Sequence, residues 1–109
     1  MNILKSLPLT ETTFYILLAL REPGHGYAVM KKVEELSGGK VRIAAGTMYG
    51  AIENLTKQKL INSVLSDDPR RKMFQISDVG REVLELEVKR LKHLVQIYEQ
   101  TEVRNNEKV

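Results

Sequence analysis

The chain has 109 residues, 42% of them hydrophobic, which is enough for one domain with a core but too few for two. It contains no cysteine, and this excludes disulfide scaffolds, thiolate zinc sites and thiol catalysis. The formal net charge of +3 favours a nucleic-acid partner only weakly. The distribution of the charges therefore carries more weight than their sum.

The N-terminal region predicts neither a signal peptide nor a membrane span. Residues 1–9 contain a single lysine followed by a proline, which is not the pattern of a signal peptide. The apolar run from Phe14 to Leu20 is much shorter than the roughly 20 residues that cross a bilayer. Together with the absence of cysteine, this favours a cytoplasmic protein with no membrane partner.

The first two predicted helices lie in the first third of the chain. Thr10 is a suitable N-cap for the first helix, which is apolar on every side and so should be buried on nearly every side. The breakers Pro23 to Gly26 end it. The second helix spans about Tyr27 to Ser37, and Gly38-Gly39 closes it as a C-cap pair.

After a short β-prone stretch, Val41 to Ile43, a third helix is predicted from about Ala45 to Gln58. Met48, Ile52 and Leu55 share one face at helical spacing and should pack inward. The opposite face carries only small or polar side chains, namely Thr47, Gly50, Ala51, Asn54 and Gln58. Because no long side chain stands near its start, the backbone could approach another surface closely.

A hairpin with a basic loop follows the third helix. Residues 60–66 and 73–77 predict two antiparallel strands, and Asp67-Asp68-Pro69 supplies the turn. The turn leads into the triplet Arg70, Arg71 and Lys72. A thin polar helix beside a cationic loop is typical of proteins that bind nucleic acid, whereas a charged turn by itself is commonly only solvated.

The last predicted helix runs from Asp78 to about Val103 and carries two apolar stripes. One stripe is a heptad seam formed by Leu84, Val88, Leu91, Val95 and Tyr98. The second is formed by Val79, Val83, Leu86, Leu94 and Ile97. The first helix can cover one stripe, and the other most simply meets a second copy of the chain, so the seam is the predicted dimer interface. Residues 104–109 are predicted to be a disordered tail.

The predicted fold is mainly α with a small β-hairpin. It comprises a winged helix-turn-helix domain over residues 1–77 and a C-terminal dimerisation helix over residues 78–103. The motifs within it resemble the PadR family of bacterial transcriptional regulators, in the short subfamily with one C-terminal helix. The resemblance rests on Gly26-Tyr27, Gly46-Thr47-Met48-Tyr49, Ala51-Ile52-Glu53-Asn54-Leu55, Leu60-Ile61 and the run from Arg71 to Arg81. It covers about residues 8–100.

The sequence departs from the family pattern at three positions of the third helix. Gly50 stands where the family usually has Pro, Asn54 where a basic residue is common, and Ala44 where a capping Ser is frequent. Gly50 either lets the backbone crowd the DNA or is simply tolerated, at a cost of up to about 1 kcal/mol in a helix. Asn54 should change the base preference, since Asn pairs bidentately with adenine.

The resemblance implies a homodimeric repressor of promoters that binds double-stranded DNA at an inverted repeat. The residues predicted to contact DNA are Thr47, Tyr49, Gly50, Asn54, Lys57, Arg70, Arg71, Lys72 and Lys32. The resemblance also implies release by a small lipophilic effector held between the dimerising helices. The lining implied for that pocket is Leu4, Leu7, Tyr15, Val88, Leu91, Val95 and Tyr98. The alternative is a filled dimer core with no ligand.

Other classes of function find less support in the sequence. His25 and His93 are isolated, and no nucleotide loop, Ser-His-Asp set or metal-ligand cluster is present, so we expect neither an enzyme nor a cofactor. A dimeric winged-helix adaptor for protein contacts is the remaining alternative. It would need an apolar patch where Thr47, Gly50 and Asn54 stand.

Overall fold

A computed structural model describes residues 3–107, and the side chains of residues 4–102. A short 3-10 helix, Ile3–Ser6, precedes the other elements, which follow in the order α1 Glu11–Ala19, β1 Gly24–His25, α2 Gly26–Leu36, α3 Ala45–Lys57, β2 Ile61–Val64, β3 Met73–Ile76 and α4 Asp78–Glu107. This mainly helical architecture with a small sheet is the fold class that the sequence predicts.

The core is built around α1, as its apolar circumference predicts. Ile16, Leu17 and Leu20 are fully buried, and Val33 of α2 and Val83 of α4 belong to the same cluster. The predicted N-cap is confirmed, since the Thr10 hydroxyl oxygen accepts a hydrogen bond from the backbone N–H of Thr13 at 3.1 Å. The first helix thus supplies the centre on which the other helices pack.

The predicted glycine pair does end α2. Gly38 and Gly39 have φ of 64° and 82°, a left-handed conformation that costs glycine little. Their N–H groups donate to the carbonyl oxygens of Glu35 and Glu34, at 3.1 and 2.8 Å, and so satisfy the last turn of the helix. The chain then spans residues 40–44 without regular structure, so the β-prone stretch Val41 to Ile43 does not form a strand.

The sheet has three strands where the sequence predicts two. Gly24–His25 forms β1, which pairs antiparallel with β3, and the strand order is β1-β3-β2. The prediction treated Pro23 to Gly26 only as a helix breaker, because a strand of two residues has no periodicity to detect. This pairing fixes the start of α2 beside the hairpin.

The last helix continues further than predicted. It extends to Glu107, because residues 103–107 contain no glycine or proline that would end it. The predicted disordered tail is therefore wrong as far as Glu107, while residues 108 and 109 lie outside the described part of the chain.

A buried carboxylate joins α4 to the segment before α1, and the sequence analysis missed it. Glu87 is 2% exposed. Its carboxylate accepts hydrogen bonds from the Arg90 guanidinium, at 3.0 Å from Nη2, and from the backbone N–H of Leu9 at 2.9 Å. The Arg90 bond lowers the pKa of Glu87, burial opposes that effect, and the Leu9 bond reinforces it. The contact holds the first half of α4 against the segment that precedes α1.

Candidate nucleic-acid interface

The inward face of α3 is the one that the sequence predicts. Met48, Ile52 and Leu55 are 0%, 4% and 3% exposed and pin the helix to the core. Ala44 is the N-cap and makes no side-chain hydrogen bond, so packing, and not a capping side chain, positions the start of the helix.

A tight turn after α3 places the hairpin directly beside it. The N–H groups of Lys59 and Leu60 donate to the carbonyls of Thr56 and Leu55, both at 3.0 Å, which is the Schellman pattern of a helix end. Lys59 takes a φ of 62° to make this turn. Its carbonyl then accepts a hydrogen bond from the Ser77 hydroxyl at 2.7 Å, which locks the far end of the hairpin to the same turn.

The exposed side of α3 carries most of the residues that the sequence predicts there. Thr47, Gly50, Asn54 and Lys57 are all exposed, in agreement with their predicted placement, although their role stays a prediction. Gly46, Gly50, Glu53 and Lys57 are exposed and follow one another at helical spacings of four, three and four residues. We call the surface that they form the outward face of α3. A Cβ atom added at either of these glycines would meet nothing within 4 Å.

The other side of α3 faces the start of α1. Ala51 is half-buried there, and Asn54 and Gln58 line a depression of about 160 Å³ together with Thr10 and Thr13. Asn54 thus lies on the side of the exposed surface that faces α1.

Tyr49 and the basic loop of the hairpin share one cleft. The cleft has a volume of about 500 Å³. We call it the wing cleft, and its lining is His25, Gly26, Tyr27, Tyr49, Arg70, Arg71, Lys72 and Phe74. Tyr49 is 58% exposed, and its ring lies over Gly26 so closely that an added Cβ would stand 3.0 Å from Cε1. The absence of a side chain at Gly26 therefore lets Tyr49 lie beside the basic loop.

The three basic residues of the loop differ in how they are held. Arg70 is tied to the turn, because Asp68 Oδ1 accepts from its backbone N–H at 2.9 Å and pairs with its Nε at 3.5 Å. Arg71 and Lys72 are exposed, and neither forms an ion pair with any described side chain. These two cations are accordingly the ones available to an external anion.

Lys32, also predicted to contact DNA, is not brought to this surface. It lies beside the end of α1, where it lines a depression with Leu18, Arg21 and Leu36. The prediction followed from its exposure on α2, but the depression that Lys32 lines contains no residue of α3 or of the basic loop.

The predicted dimer seam needs one correction. Leu84 is only 7% exposed and belongs to the core of the protomer, so it has little surface left for a partner. Val88 is half-buried. Beyond it, α4 carries an exposed stripe formed by Leu91, Leu94, Val95, Ile97 and Tyr98, which are 40–65% exposed.

The predicted effector lining does not come together within the protomer. Leu4 is 63% exposed, while Leu7 and Tyr15 pack against the core. Of the predicted residues, Val88 alone lines the groove that the described residues form between α1 and α4, which has a volume of about 470 Å³. We call it the α1–α4 groove, and its lining is Phe14, Leu18, Arg21, Arg81, Leu84, Glu85, Val88, Lys89 and Lys92.

None of the helices within residues 3–107 combines the length and the apolar character needed to cross a membrane. In the same part of the chain, no three histidine or acidic side chains come together in a way that could hold a metal ion.

The fold and this surface define a winged helix-turn-helix protein, with the hairpin as the wing. The chain belongs to the PadR-like family of transcriptional regulators, because residues 16–86 match the Transcriptional regulator PadR-like family. The resemblance stated from the motifs is thereby confirmed. The family consists of regulators and not of enzymes, which is the class that the sequence predicts.

Two solved structures illustrate the likeness. A PadR family transcriptional regulator from Eggerthella lenta DSM 2243 is 29% identical, with a TM-score of 0.64 over 84% of this chain and 80% of that one. Bacillus subtilis PadR in complex with operator DNA is 22% identical, with a TM-score of 0.60, and the match covers 72% of this chain and 46% of that one. The second likeness shows the common fold.

A sequence relative comes from a longer protein. An uncharacterized 37.1 kDa protein in transposon TN4556 of Streptomyces fradiae is 35% identical over 78 residues. The match covers 71% of this chain but only 22% of that protein.

Proposed function

We propose that this chain is a homodimeric repressor that binds double-stranded DNA sequence-specifically at an inverted repeat. The observation that carries the proposal is the wing cleft, where Tyr49 of α3 lies beside the unpaired cations Arg71 and Lys72. A helix with an open outward face can enter the major groove while such cations contact the adjacent phosphates. Repression follows if the bound dimer blocks polymerase.

Each part of the surface has a different task in this proposal. Thr47 and Asn54, both exposed, contact base edges, whereas Gly50 lets the backbone come close. The Tyr49 hydroxyl and the wing cations contact phosphate oxygens, which supply most of the affinity but little of the sequence preference. Lys57, 75% exposed in its side chain, is a further phosphate contact.

The exposed stripe on α4 supports the dimer. Five large apolar side chains on one helix, each at least 40% exposed, form a patch that a soluble protein normally covers with a partner. When two chains are related by a two-fold axis, the exposed stripe of each chain covers the exposed stripe of the other. The two α3 helices would then enter successive major grooves about 34 Å apart.

Release by a small lipophilic effector is the finer part of the proposal. The α1–α4 groove has apolar side chains from Phe14, Leu18 and Val88 and lies at the point where α4 leaves the protomer core. A ligand seated there would change the angle of α4 and with it the spacing of the two α3 helices.

The test is a mobility-shift titration of the purified protein on duplex DNA at two salt concentrations. An operator-binding dimer should lose affinity steeply as salt rises. The competing function, a winged-helix adaptor for protein contacts, predicts no salt-dependent duplex binding. The presence of Thr47, Gly50 and Asn54 on the exposed surface of α3, in place of an apolar patch, favours DNA.

We expect Arg71→Ala to weaken binding to all duplexes alike. Removing one phosphate contact should make the negative slope of log K against log salt shallower by about 0.9. The matched control is Lys89→Ala, which removes one exposed cation from α4, away from the wing. If Arg71→Ala leaves the salt slope unchanged, the wing does not contact phosphate.

Gly50→Ala should move stability and DNA binding in opposite directions. An added Cβ meets no protein atom within 4 Å, so alanine should raise the free energy of unfolding by about 0.5–1 kcal/mol through its better helix propensity. The same methyl group would stand between α3 and the DNA, and operator affinity should fall. Chemical denaturation and operator titration of the same preparation measure both effects. Unchanged affinity in the stabilised variant would show that the backbone does not approach the DNA at this position.

A further inference from the structure

The exposed side of α3 carries one carboxylate, that of Glu53. Glu53 follows Gly50 by three residues and Tyr49 by four, and its side chain is 73% exposed. Its partner among the described residues is Lys57, whose Nζ lies 3.7 Å from Oε1. This pair is open to solvent on the side from which, under the proposed function, DNA approaches.

A carboxylate in this place is unfavourable for DNA binding in general. It carries the same charge as the phosphates that line both sides of the groove, and the wing and Lys57 attract those same phosphates. An exposed ion pair with one lysine contributes less than about 1 kcal/mol to folding. Glu53 therefore weakens binding to any sequence that places no suitable hydrogen-bond donor within its reach.

The major groove offers a carboxylate two kinds of donor, the N4 amino group of cytosine and the N6 amino group of adenine. Adenine places its N7 acceptor beside the amino group, and N7 repels the other oxygen of the same carboxylate. Cytosine has no acceptor on its major-groove edge. The open backbone at Gly46 and Gly50 allows α3 to come close enough for the Glu53 side chain to reach a base.

We propose that Glu53 is a specificity-determining residue that accepts a hydrogen bond from the N4 amino group of a cytosine in each half-site, an inference that rests on the proposed function. In the free protein the Glu53 carboxylate pairs with Lys57. On the operator it takes the cytosine amino group instead, and Lys57 turns to a phosphate. On other sequences the carboxylate stays uncompensated, and binding is weaker.

The experiment is selection of binding sites from a random duplex library with wild type, Glu53→Ala and Glu53→Gln. The wild-type motif should contain a cytosine whose preference falls about fivefold or more in the alanine variant, while affinity for unrelated duplex rises. The glutamine variant should prefer adenine at that position, because an amide both donates and accepts. Glu99→Gln, which removes one exposed carboxylate from α4, is the matched control and should leave the motif unchanged.

Modified DNA tests the contact itself. N4-methylcytosine at that position keeps its base pair but replaces the major-groove N–H with a methyl group, so it should weaken wild-type binding and leave Glu53→Ala unaffected. A wild-type protein that shows no salt-dependent duplex binding overturns the proposed function. Wild-type binding with identical motifs in all three proteins overturns only the role of Glu53, as does a wild-type preference for adenine at that position.

Discussion

Gly80→Ala should destabilise the protein by at least about 3 kcal/mol, at the upper end of what overpacking of a core costs. A Cβ atom on Gly80 would stand 2.1 Å from the carbonyl oxygen of Leu60 and 2.8 Å from Cγ1 of Ile76. No real Cβ approaches a backbone oxygen so closely, so either α4 or the turn after α3 must move.

Hydrogen bonds hold both Leu60 and Gly80 in place. The Leu60 carbonyl accepts the N–H of Ser77 at 3.0 Å, while the N–H of Leu60 donates to Leu55 at 3.0 Å. On the other side, the N–H of Gly80 donates to the Ser77 hydroxyl at 3.0 Å, which caps the start of α4. Moving Gly80 away would break that cap and separate α4 from the wing and from α3 together.

Urea unfolding of Gly80→Ala beside Gly46→Ala measures the effect. An added Cβ at Gly46 meets nothing within 4 Å, so this control should be neutral or more stable by up to about 1 kcal/mol. A Gly80→Ala protein as stable as the Gly46→Ala protein would mean that α4 does not press against Leu60 as described. Loss of α4 packing should also abolish DNA binding in the Gly80 variant, because the wing is held by the same turn.

The sequence predicts those parts of the fold that depend on local periodicity and capping. The apolar spacing within α3, the cap at Thr10 and the glycine pair after α2 all depend on residues within one or two helical turns of each other. The strand β1 does not, because its two residues pair with Phe74 and Met73, some fifty positions along the chain. The buried contact of Glu87 with Leu9 spans 78 positions, and no local pattern predicts it.

The same distinction applies to the candidate interface. Tyr49 and the basic triplet are each recognisable from the sequence, but the close approach of the Tyr49 ring to Gly26 joins two elements, and no local pattern predicts it. Heptad spacing does not distinguish a neighbour in the same protomer from one in a partner, and for this reason Leu84 of the predicted seam proves to be part of the core. Ala51, predicted on the exposed face, is half-buried, because a helical wheel gives the axis of burial only approximately.

The second large effect is expected from Val95→Glu. Val95 is 54% exposed in the protomer, at the centre of the exposed stripe, so a charge there leaves the fold of the single chain intact. In the proposed dimer it would bury a carboxylate among apolar side chains with no partner, which costs several kcal/mol. Sedimentation should therefore show a monomer at concentrations where the wild-type protein is a dimer.

Operator binding should fall along with the dimer. Two linked α3 helices bind an inverted repeat more tightly than one does by a factor of about 10²–10⁴, since the second contact is intramolecular. Val95→Glu should lose most of that factor, while binding to a single half-site should stay close to that of the wild-type protein. Gln96→Glu is the matched control, because it adds the same charge one residue along the helix, on the polar side of α4. If both variants remain dimers with full operator affinity, the exposed stripe is not the surface through which two chains pair.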